Sequence, residues 1–376
     1  MGRSTMSVLA KSDANLRFLA IDRSAENLEA ARAISPAVEA APPLDIEEDP
    51  LPIGGSDLVL NFAGPFFGGS TAVARASLAA GVPYVDVGDD VEGTRAILSL
   101  DDEAQRAGVP LITGAGLSPG VSNWLACRIL SESPDCDEIK IVWVVHEPDP
   151  GGLAPLRHML HMAVAPCPIW QDGTIVETPG FVPATAETFD MPEPFGATEA
   201  FDTAHPEPLT LGRQFPRLRA IRCKGSLRPN WANAAFSTLG RIGFGYAAER
   251  VDYGDISIEP AEFLWRLMWQ RYRRKPTGPR SATTMVRVMG LREGRVIDSR
   301  TVADDGDMSR GTGVGVAAAA LTLLTMPVPA GAAGVERLSA DTGLDHFLRL
   351  TRERGWFRRG ILRETAGADA RIAEAR

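Results

Sequence analysis

The chain has 376 residues and a mass of 40.3 kDa, which is long for one hydrophobic core and predicts two domains. Its hydrophobic fraction of 44% and charged fraction of 23% are ordinary for a globular protein. The net charge of −9 argues against a nucleic acid partner, because phosphates would repel it, and gives no polybasic patch for a membrane surface.

The four cysteines lie far apart and none forms a CxxC pair, so the sequence predicts neither a disulfide framework nor a zinc site. No signal peptide is recognisable, and the most apolar run, Gly313 to Leu324, is too short to cross a bilayer. We therefore expect a cytoplasmic protein with no membrane contact.

The first residues have the order of the second half of a dinucleotide-binding βαβ unit. Gly2 precedes a short amphipathic stretch, Thr5 to Lys11, and a predicted strand, Leu16–Ile21, which ends at Asp22. The first strand and the other glycines of such a unit would come before Gly2. We expect that the true start lies upstream; alternatively the neighbouring strands pair directly, or another segment fills the gap. The fold should then show an open slot or direct pairing there.

From Leu16 onward predicted strands and helices alternate, which indicates an α/β fold, a Rossmann-type doubly wound parallel sheet with its first strand missing. The predicted strands of this region are Leu16–Ile21, Asp57–Ala63, Tyr84–Gly88 and Val109–Thr113. After Ser131 the pattern becomes mixed α+β, and the final helices are rich in Gly and Ala. We predict a dinucleotide-binding domain at 1–130, completed by returning helices at 310–365, with an α+β substrate and dimerisation domain at 131–309.

The strand ends of a parallel sheet provide the candidate sites, because ligands bind beyond the carboxyl ends of its strands. Asp22 lies at such an end, where its carboxylate can accept both adenosine ribose hydroxyls. Arg23 follows and could instead meet a 2′-phosphate, so NAD and NADP both stay open, with a slight preference for NAD. The alternative for Asp22 is a simple helix cap.

The stretch NFAGPFFGG follows the next predicted strand. Three of its residues are small or rigid and would let the backbone approach a nicotinamide ribose or pyrophosphate closely: Ala63, Gly64 and Pro65. The alternative is an ordinary tight turn between a strand and a helix.

The stretch YVDVGDD places Asp86 inside a strand and Asp89 and Asp90 at its open end. Carboxylates so close raise one another's pKa, which suits proton exchange near neutral pH. The alternative is the capped start of a helix, which we favour for Asp90 itself.

In GAGLSPGVSN, Ser118 is placed as a helix N-cap and Pro119 as the first helical residue. The helix would then direct free backbone N–H groups into the crevice, where they could bind a substrate carboxylate.

The chain resembles the saccharopine dehydrogenase-like family over nearly its whole length. The resemblance rests on DLVLNFAGPFF, AGVPYVDVGDD, AGVPLITGAGLSPGVSN, KGSLRPNWANAAFSTLGRIGF and SRGTGVGVAAAALTL. Members include saccharopine reductase, lysine 6-dehydrogenase and carboxynorspermidine dehydrogenase. The resemblance implies an NAD(P)-dependent oxidoreductase that acts on a C–N bond of an amino acid or imine conjugate and forms a homodimer through its second domain.

The resemblance also assigns residues. It implies cofactor contacts at Gly2, Asp22, Arg23, Asp45, Ala63, Gly64, Pro65, Asp86, Val87 and Gly88. It implies substrate contacts at Ser118 and Pro119 beside Asp89, although saccharopine reductases have an aspartate where this chain has Ser118. Arg228, in GSLRP, matches an arginine whose guanidinium could clamp a carboxylate; its alternative is a surface arginine.

Asp89 and His205 are the candidate catalytic residues, with His205 as a possible proton donor against a structural loop histidine. His158 and His161 lie at i, i+3 on a predicted helix, but no third ligand is spaced to join them, so we expect no metal. Two other functions stay open: a non-catalytic ligand-binding or scaffold protein that has lost cofactor binding, and a reductase of another substrate class, such as the lipid enoyl reductases.

Overall fold

The computed structural model describes residues 1–12, 15–146, 153–245, 250–272, 284–304, 308–353, 361–365 and 371–373. The helices in these ranges are α1 (Gly2–Leu9), α2 (Ala25–Arg32), α3 (Ala72–Ala80), α4 (Val91–Leu98), α5 (Asp101–Ala107), α6 (Val121–Glu132), α7 (Leu153–Met162), α8 (Glu207–Gln214), α9 (Trp231–Leu239), α10 (Pro260–Tyr272), α11 (Met308–Thr325) and α12 (Ala340–Glu353). None of these helices combines the length and the apolar character that a membrane crossing requires.

The strands are short in the first third of the chain and longer after residue 137. They are β1 (Phe18–Ala20), β2 (Val38–Ala40), β3 (Val59–Asn61), β4 (Tyr84–Asp86), β5 (Pro110–Thr113), β6 (Glu138–His146), β7 (Pro166–Gln171), β8 (Thr174–Pro179), β9 (Glu187–Met191), β10 (Gly196–Asp202), β11 (Ala220–Arg228), β12 (Val251–Tyr253), β13 (Ile256–Ile258), β14 (Thr284–Arg292), β15 (Arg295–Asp304), β16 (Gly331–Gly334), β17 (Ile361–Thr365) and β18 (Arg371–Ala373).

A parallel sheet in the order β16-β5-β4-β3 forms the centre of the dinucleotide-binding region. The intervening helices α3, α4 and α5 connect its strands, as the alternating pattern predicts. All three residues of β4 are buried, because this strand lies between two neighbours and beneath helices. The α/β, Rossmann-type fold is therefore confirmed.

The strands β1 and β2 pair in parallel with each other and form a separate sheet. Within the described residues they share no strand pairing with β3, so of the two predicted outcomes direct pairing is not seen. Nearby, α1 packs against α11, and Gly2 lies close to the residue that follows β3: a Cβ on Gly2 would be 3.1 Å from Cδ2 of Phe62.

The second sheet has ten strands and mixed directions, in the order β18-β17-β15-β14-β6-β11-β10-β9, with β7 and β8 attached to β11. Its long central strands β6 and β11 run parallel over nine paired residues. The QDG segment forms the predicted hairpin turn between β7 and β8, with Asp172 and Gly173 both at positive φ. The helices α7 and α8 of this region contact the loops that follow β4 and β5, through His158 to Asp90 and through Glu207 to Ser118.

The small residues of α11 allow close packing, as the sequence suggests. A Cβ on Gly315 would lie 2.3 Å from the carbonyl oxygen of Gly116, so a side chain there would force this turn away from the helix. The helix thus returns to the dinucleotide-binding region, where β16 also adds to the parallel sheet.

Two features differ from the expected organisation. The strand β17 pairs with β15 of the larger sheet, so residues 361–365 extend that sheet and do not complete the first region. The sequence pattern does not predict the helix α8, whose first turn is favoured by Pro206 and Glu207. The loop that holds Pro148 to Gly152, and most of the charged run 271–280, lie outside the described residues.

Candidate active site

Asp86 ties the ends of β4 and β5 together. One carboxylate oxygen, Oδ1, accepts hydrogen bonds from Thr113 Oγ1 at 2.8 Å and from the backbone N–H groups of Gly88 and Gly114 at 2.8 and 2.9 Å, while Oδ2 accepts from Tyr84 Oη at 2.9 Å. Burial raises the pKa of Asp86, and these donors oppose the rise. The side chain is fully occupied by protein partners and orients the loop that leads to Asp89.

Asp90 is held by two neighbouring segments. Its Oδ1 lies 2.6 Å from Nδ1 of His158 on α7, and its Oδ2 accepts the backbone N–H of Phe66 at 3.0 Å. Burial by itself would raise the pKa of Asp90, but the charge and hydrogen bond of His158 outweigh it and hold the pKa below its ordinary value. Asp90 occupies the N-cap position of α4, but its carboxylate makes no capping hydrogen bond to that helix.

His158 is a buried cation. Burial would lower its pKa, but the carboxylates of Asp89 and Asp90 outweigh this and raise the pKa from 6.5 to about 9. Its second ring nitrogen, Nε2, is buried without a hydrogen-bond partner among the described residues and lies 3.8 Å from Asp89 Oδ2. A charged imidazole therefore faces Asp89.

Asp89 is the accessible carboxylate of this group, with 28% of its side chain exposed, against 1% for Asp90. Burial, followed by the charge of Asp90, raises its pKa, while His158 and His205 lower it. Such opposed influences are typical of a group that exchanges a proton during a reaction.

Glu207, at the first position of α8, connects the second region to the loop before α6. Its Oε1 accepts from Ser118 Oγ at 2.5 Å and from Ser122 Oγ at 3.3 Å, and its Oε2 lies 3.3 Å from His205 Nδ1. Burial would raise the pKa of Glu207, but His205 and the Ser118 hydroxyl hold it below its ordinary value. The buried carboxylate thus fixes both side chains.

The rings of His158 and His205 meet edge to face, with centroids 5.5 Å apart. The centroid of the Trp143 ring lies 5.4 Å from that of His205. We call the group formed by Asp89, Asp90, His158, His205 and Glu207 the Asp89 cluster. It lies beyond the carboxyl end of β4, where the topology of the sheet places a ligand site. The structure links Asp89 to His205 through His158, and His205 to Ser118 through Glu207.

The loop before α6 differs from its prediction. The helix begins at Val121, with Gly120 as its cap at φ 128°, and the Asn123 side chain accepts the N–H of Gly120 at 3.2 Å. Ser118 and Pro119 precede the helix and do not start it. The N–H groups of Val121 and Ser122 donate to the carbonyls of Gly116 and Leu117, both at 3.0 Å, so they are not free for a substrate carboxylate. The tight turn at Gly120 causes this shift.

Arg228 has other partners in this structure. Its guanidinium donates to the carbonyls of Phe195 and Ala197 at 3.0 and 3.2 Å, to Thr198 Oγ1 at 2.6 Å and to the side chain of Asn230. These contacts connect β11 to the turn before β10 and to the first residues of β10. A substrate carboxylate would have to displace them, so the clamp stays a prediction without support from this geometry.

The expected cofactor residues lie at strand ends, and several have local partners. Asp22 accepts the N–H of Ser24 at 2.8 Å and the side-chain amide of Asn27 at 3.1 Å, while the N-cap of α2 is Ser24, whose hydroxyl accepts the N–H of Asn27. Arg23 is exposed, and Asp45 accepts the N–H of Glu47 at 3.0 Å in a turn. The remaining expected residues form the loops after β3 and β4: Ala63, Gly64, Pro65, Val87 and Gly88.

The histidines of α7 do not form a pair that shares one metal. His158 contacts Asp90, whereas His161 Nε2 contacts Glu92 Oε1 at 3.1 Å, so each imidazole has its own carboxylate on the α4 side. Sequence reasoning recognised that both lie on one helix face but missed the carboxylate partners. It also missed Glu207, for which the acidic first turn after a proline is the available signal.

Comparisons with known proteins concern the family and the fold. A family model described as the saccharopine dehydrogenase NADP binding domain matches residues 1–112. The fold is similar to apo saccharopine dehydrogenase (L-Glu forming) from Saccharomyces cerevisiae, with a TM-score of 0.65 and 13% identity over 97% of this chain and 98% of that one. At this identity the second comparison shows the fold alone.

Looser similarities were found to an amine dehydrogenase from Mycobacterium smegmatis (TM-score 0.42, 11% identity, 89% of this chain and 93% of that one) and to a probable dehydrogenase from Thermotoga maritima (TM-score 0.44, 11% identity, 93% and 94%). The family match indicates a nicotinamide-dinucleotide-binding region at residues 1–112. The fold of the chain is similar to that of a saccharopine dehydrogenase.

Proposed function

We propose that this protein is an NAD(P)-dependent oxidoreductase that acts on a C–N bond of an amino acid or imine conjugate. The observation that carries the proposal is the Asp89 cluster at the carboxyl end of β4, within a dinucleotide-binding fold. The cluster offers the accessible carboxylate of Asp89, whose pKa is raised by burial and by Asp90 and lowered by His158 and His205. The His158 imidazole lies next to this carboxylate, and the pair suits proton exchange at a substrate nitrogen.

The edge of the parallel sheet fits a dinucleotide. The N-terminus of α1 lies against the end of β3, where Gly2 lets the Phe62 ring pack close to the helix, and helix N-termini at such positions favour phosphate groups. When bound, the nicotinamide would supply or accept the hydride. Ala63, Gly64 and Pro65 would line its path, together with Val87 and Gly88.

The side chains of this chain would handle the proton and the orientation of the substrate. For oxidation, the carbon loses a hydride and its nitrogen loses a proton, so a C=N bond forms; Asp89 is placed to take that proton. His205 is the second candidate, held by Glu207 and stacked near Trp143. Ser118, fixed by the same glutamate, would contact the substrate beside them.

The first test is a titration of the purified chain with NADH and with NADPH, followed by nicotinamide fluorescence and by calorimetry. Saturable binding with at least a tenfold preference for one cofactor supports the proposal and decides between Asp22 and Arg23 as the dominant group. Arg23→Ala is the matched variant: it should weaken NADPH much more than NADH. A folded chain that binds neither would contradict the enzyme proposal.

One observation favours the second candidate, a ligand-binding protein without cofactor chemistry. Both carboxylate oxygens of Asp22 already accept hydrogen bonds within its own helix start, so ribose binding must compete with them. A chain that binds small amines yet gives no signal with either nicotinamide would support this alternative.

We further propose a homodimer through the second region. The hairpin of β12 and β13 carries two cross-strand apolar pairs, Val251 with Ile258 and Tyr253 with Ile256, and Tyr253 and Ile256 are 78% and 62% exposed. An isolated two-stranded hairpin is marginal in water, so a partner surface would stabilise it. Sedimentation should show a dimer that Tyr253→Ser weakens; a monomer at micromolar concentration would contradict this.

A further inference from the structure

Three buried side chains with metal-binding atoms meet where α8 packs on β11: His205, Glu207 and Cys223. Each offers one ligand atom, and the three atoms lie within 4.8 Å of one another. The residues are 6%, 0% and 3% exposed, respectively. We call this group the Cys223 site. Its members come from the segment before α8, from the first residue of α8 and from β11, so only the packing of the helix on the strand brings them together.

Two of these ligand atoms face each other without a hydrogen bond. His205 Nδ1 and Glu207 Oε2 are 3.3 Å apart, both are buried, and neither has a hydrogen-bond partner among the described residues. A carboxylate oxygen carries only lone pairs, and a neutral imidazole also presents a lone pair at Nδ1 when its proton is on Nε2. Buried acceptors that stay unsatisfied cost free energy, and a cation bound to both would satisfy them.

The sulfur of Cys223 distinguishes a metal ion from a proton. A proton on His205 Nδ1 could join the ring to Glu207, but it would use only those two atoms. Cys223 places a third donor atom within the same 4.8 Å. Three converging donors of three kinds are what a metal ion requires, because it binds all of them at once.

The donor set is that of a zinc site. Imidazole nitrogen, carboxylate oxygen and thiolate sulfur are the ligands that Zn²⁺ takes in proteins, whereas Mg²⁺ and Ca²⁺ prefer oxygen alone. On binding, the Cys223 thiol would release its proton, and the thiolate and the Glu207 carboxylate would balance the two charges of the ion. Three protein ligands leave the fourth tetrahedral position open, as in catalytic zinc sites.

Neighbouring groups hold two of the three ligands in place. Glu207 Oε1 accepts from Ser118 Oγ at 2.5 Å and from Ser122 Oγ at 3.3 Å, which leaves Oε2 for a metal. The carbonyl of Cys223 accepts the N–H of Thr203 at 3.2 Å and its hydroxyl at 3.3 Å, so β11 is tied to the segment that leads to the site. Outer partners of this kind orient metal ligands.

We propose that His205 Nδ1, Glu207 Oε2 and Cys223 Sγ bind one Zn²⁺ ion. The site goes beyond the proposed function and does not depend on a nicotinamide. A ring that binds zinc through Nδ1 keeps its proton on Nε2, so His205 can still donate a proton there. The ion would join the start of α8 to β11 and fix the segment that carries His205.

The first measurement uses the full wild-type chain with Zn²⁺ or Co²⁺ alone. Competition with a chromophoric chelator should show bound Zn²⁺, and Co²⁺ should give the near-ultraviolet thiolate-to-cobalt absorption with the strong visible bands of four-coordinate cobalt. X-ray absorption at the zinc edge should show sulfur at about 2.3 Å and nitrogen and oxygen ligands at about 2.0–2.2 Å. These measurements need no substituted protein, so they decide even where a variant fails to fold.

Serine substitutions give the matched comparison, with folding checked by circular dichroism. Cys223→Ser should abolish the thiolate-to-cobalt band and weaken Zn²⁺ binding at least about tenfold, since even an outer partner contributes that much. Cys167→Ser is the control: Cys167 is also a buried free cysteine, on the strand β7 that pairs with β11, but it belongs to none of the ligand groups in the described residues. It should keep the band and change the affinity less than about twofold. His205→Asn should weaken Zn²⁺ as Cys223→Ser does.

Zinc bound without a sulfur ligand, or equal losses in Cys223→Ser and Cys167→Ser, would overturn the site. A folded wild-type chain that binds neither Zn²⁺ nor Co²⁺ at micromolar concentration would also overturn it, and a proton on His205 Nδ1 would then join the ring to Glu207. None of these results depends on the titration with NADH and NADPH. The zinc site and the proposed function therefore stand or fail separately.

Discussion

The segment that ends β4 and the segment that begins α4 contain aspartates only three residues apart, Asp86 and Asp89, in opposite situations. Asp86 is 1% exposed and accepts four hydrogen bonds from the protein, whereas Asp89 is accessible and faces the charged His158. Burial raises the pKa of both, but only one has room for a ligand. A raised pKa therefore identifies a candidate site only together with an open acceptor.

The largest effect on stability should come from Asp86→Ala. The substitution removes the acceptor of four buried donors, each of which costs roughly 1–3 kcal/mol when left unsatisfied. We expect the free energy of unfolding to fall by at least about 3 kcal/mol, measured by urea denaturation with circular dichroism. Asp89→Asn is the matched control and should change stability by less than about 1 kcal/mol. Similar losses in both variants would remove the distinction between the two aspartates.

The largest effect on activity should come from substitution of Asp89. With the preferred nicotinamide and an amine substrate found by screening, Asp89→Asn should lower kcat/KM by about 10²–10⁴-fold, the usual contribution of a positioned acid or base. Its thermal unfolding midpoint should stay close to that of the wild type. Full activity in this variant would show that another group, with His205 the first candidate, exchanges the proton.

The positions of Asp86 and Asp89 could be predicted from the sequence, but the hydrogen bonds of Asp86 could not. The strand periodicity placed Asp86 within β4 and Asp89 at its open end, because a parallel strand must end where its apolar run ends. It could not show that Asp86 is saturated, since two of its four donors, Thr113 and Gly114, come from the next strand. Hydrogen-bond saturation is a tertiary property.

The histidine partners show the same limit. The i, i+3 spacing correctly put His158 and His161 on one helix face, but their assignment to Asp90 and Glu92 depends on how α7 packs against α4, 68 or more residues away in the chain. His205 was identified only through the family resemblance, and Glu207 was missed because α8 was not predicted. The start of α6 was misplaced because the left-handed turn at Gly120 competes with the Ser-Pro pattern.

A smaller and pH-dependent effect is expected for His158. Its pKa is raised in the folded protein from 6.5 to about 9, so its contribution to stability is fully present below about pH 6.5 and is lost as the pH rises through 9. On the order of 3 kcal/mol is at stake. The stability difference between wild type and His158→Gln should therefore shrink steadily from pH 6 to pH 9.5 in urea denaturation. A difference independent of pH would show that His158 is not the buried cation.

The smallest of the expected changes concerns Arg228, whose two terminal guanidinium nitrogens, like the carboxylate of Asp86, are occupied by protein partners. Because its guanidinium connects β11 to the segment at 195–198, Arg228→Lys should lose the forked contacts and lower stability by about 1–2 kcal/mol. The measurement that decides the role of Arg228 is the KM of this variant for the amine substrate, compared with its loss of unfolding free energy. If KM rises more than tenfold while the unfolding free energy stays at the wild-type value, Arg228 contacts the substrate after all. The occupied state of its guanidinium would then be a resting arrangement that the substrate displaces, and Arg228 would recognise the anionic end of an amino acid. If stability falls while KM stays within tenfold of the wild-type value, the role of Arg228 is to hold β11 to the segment at 195–198.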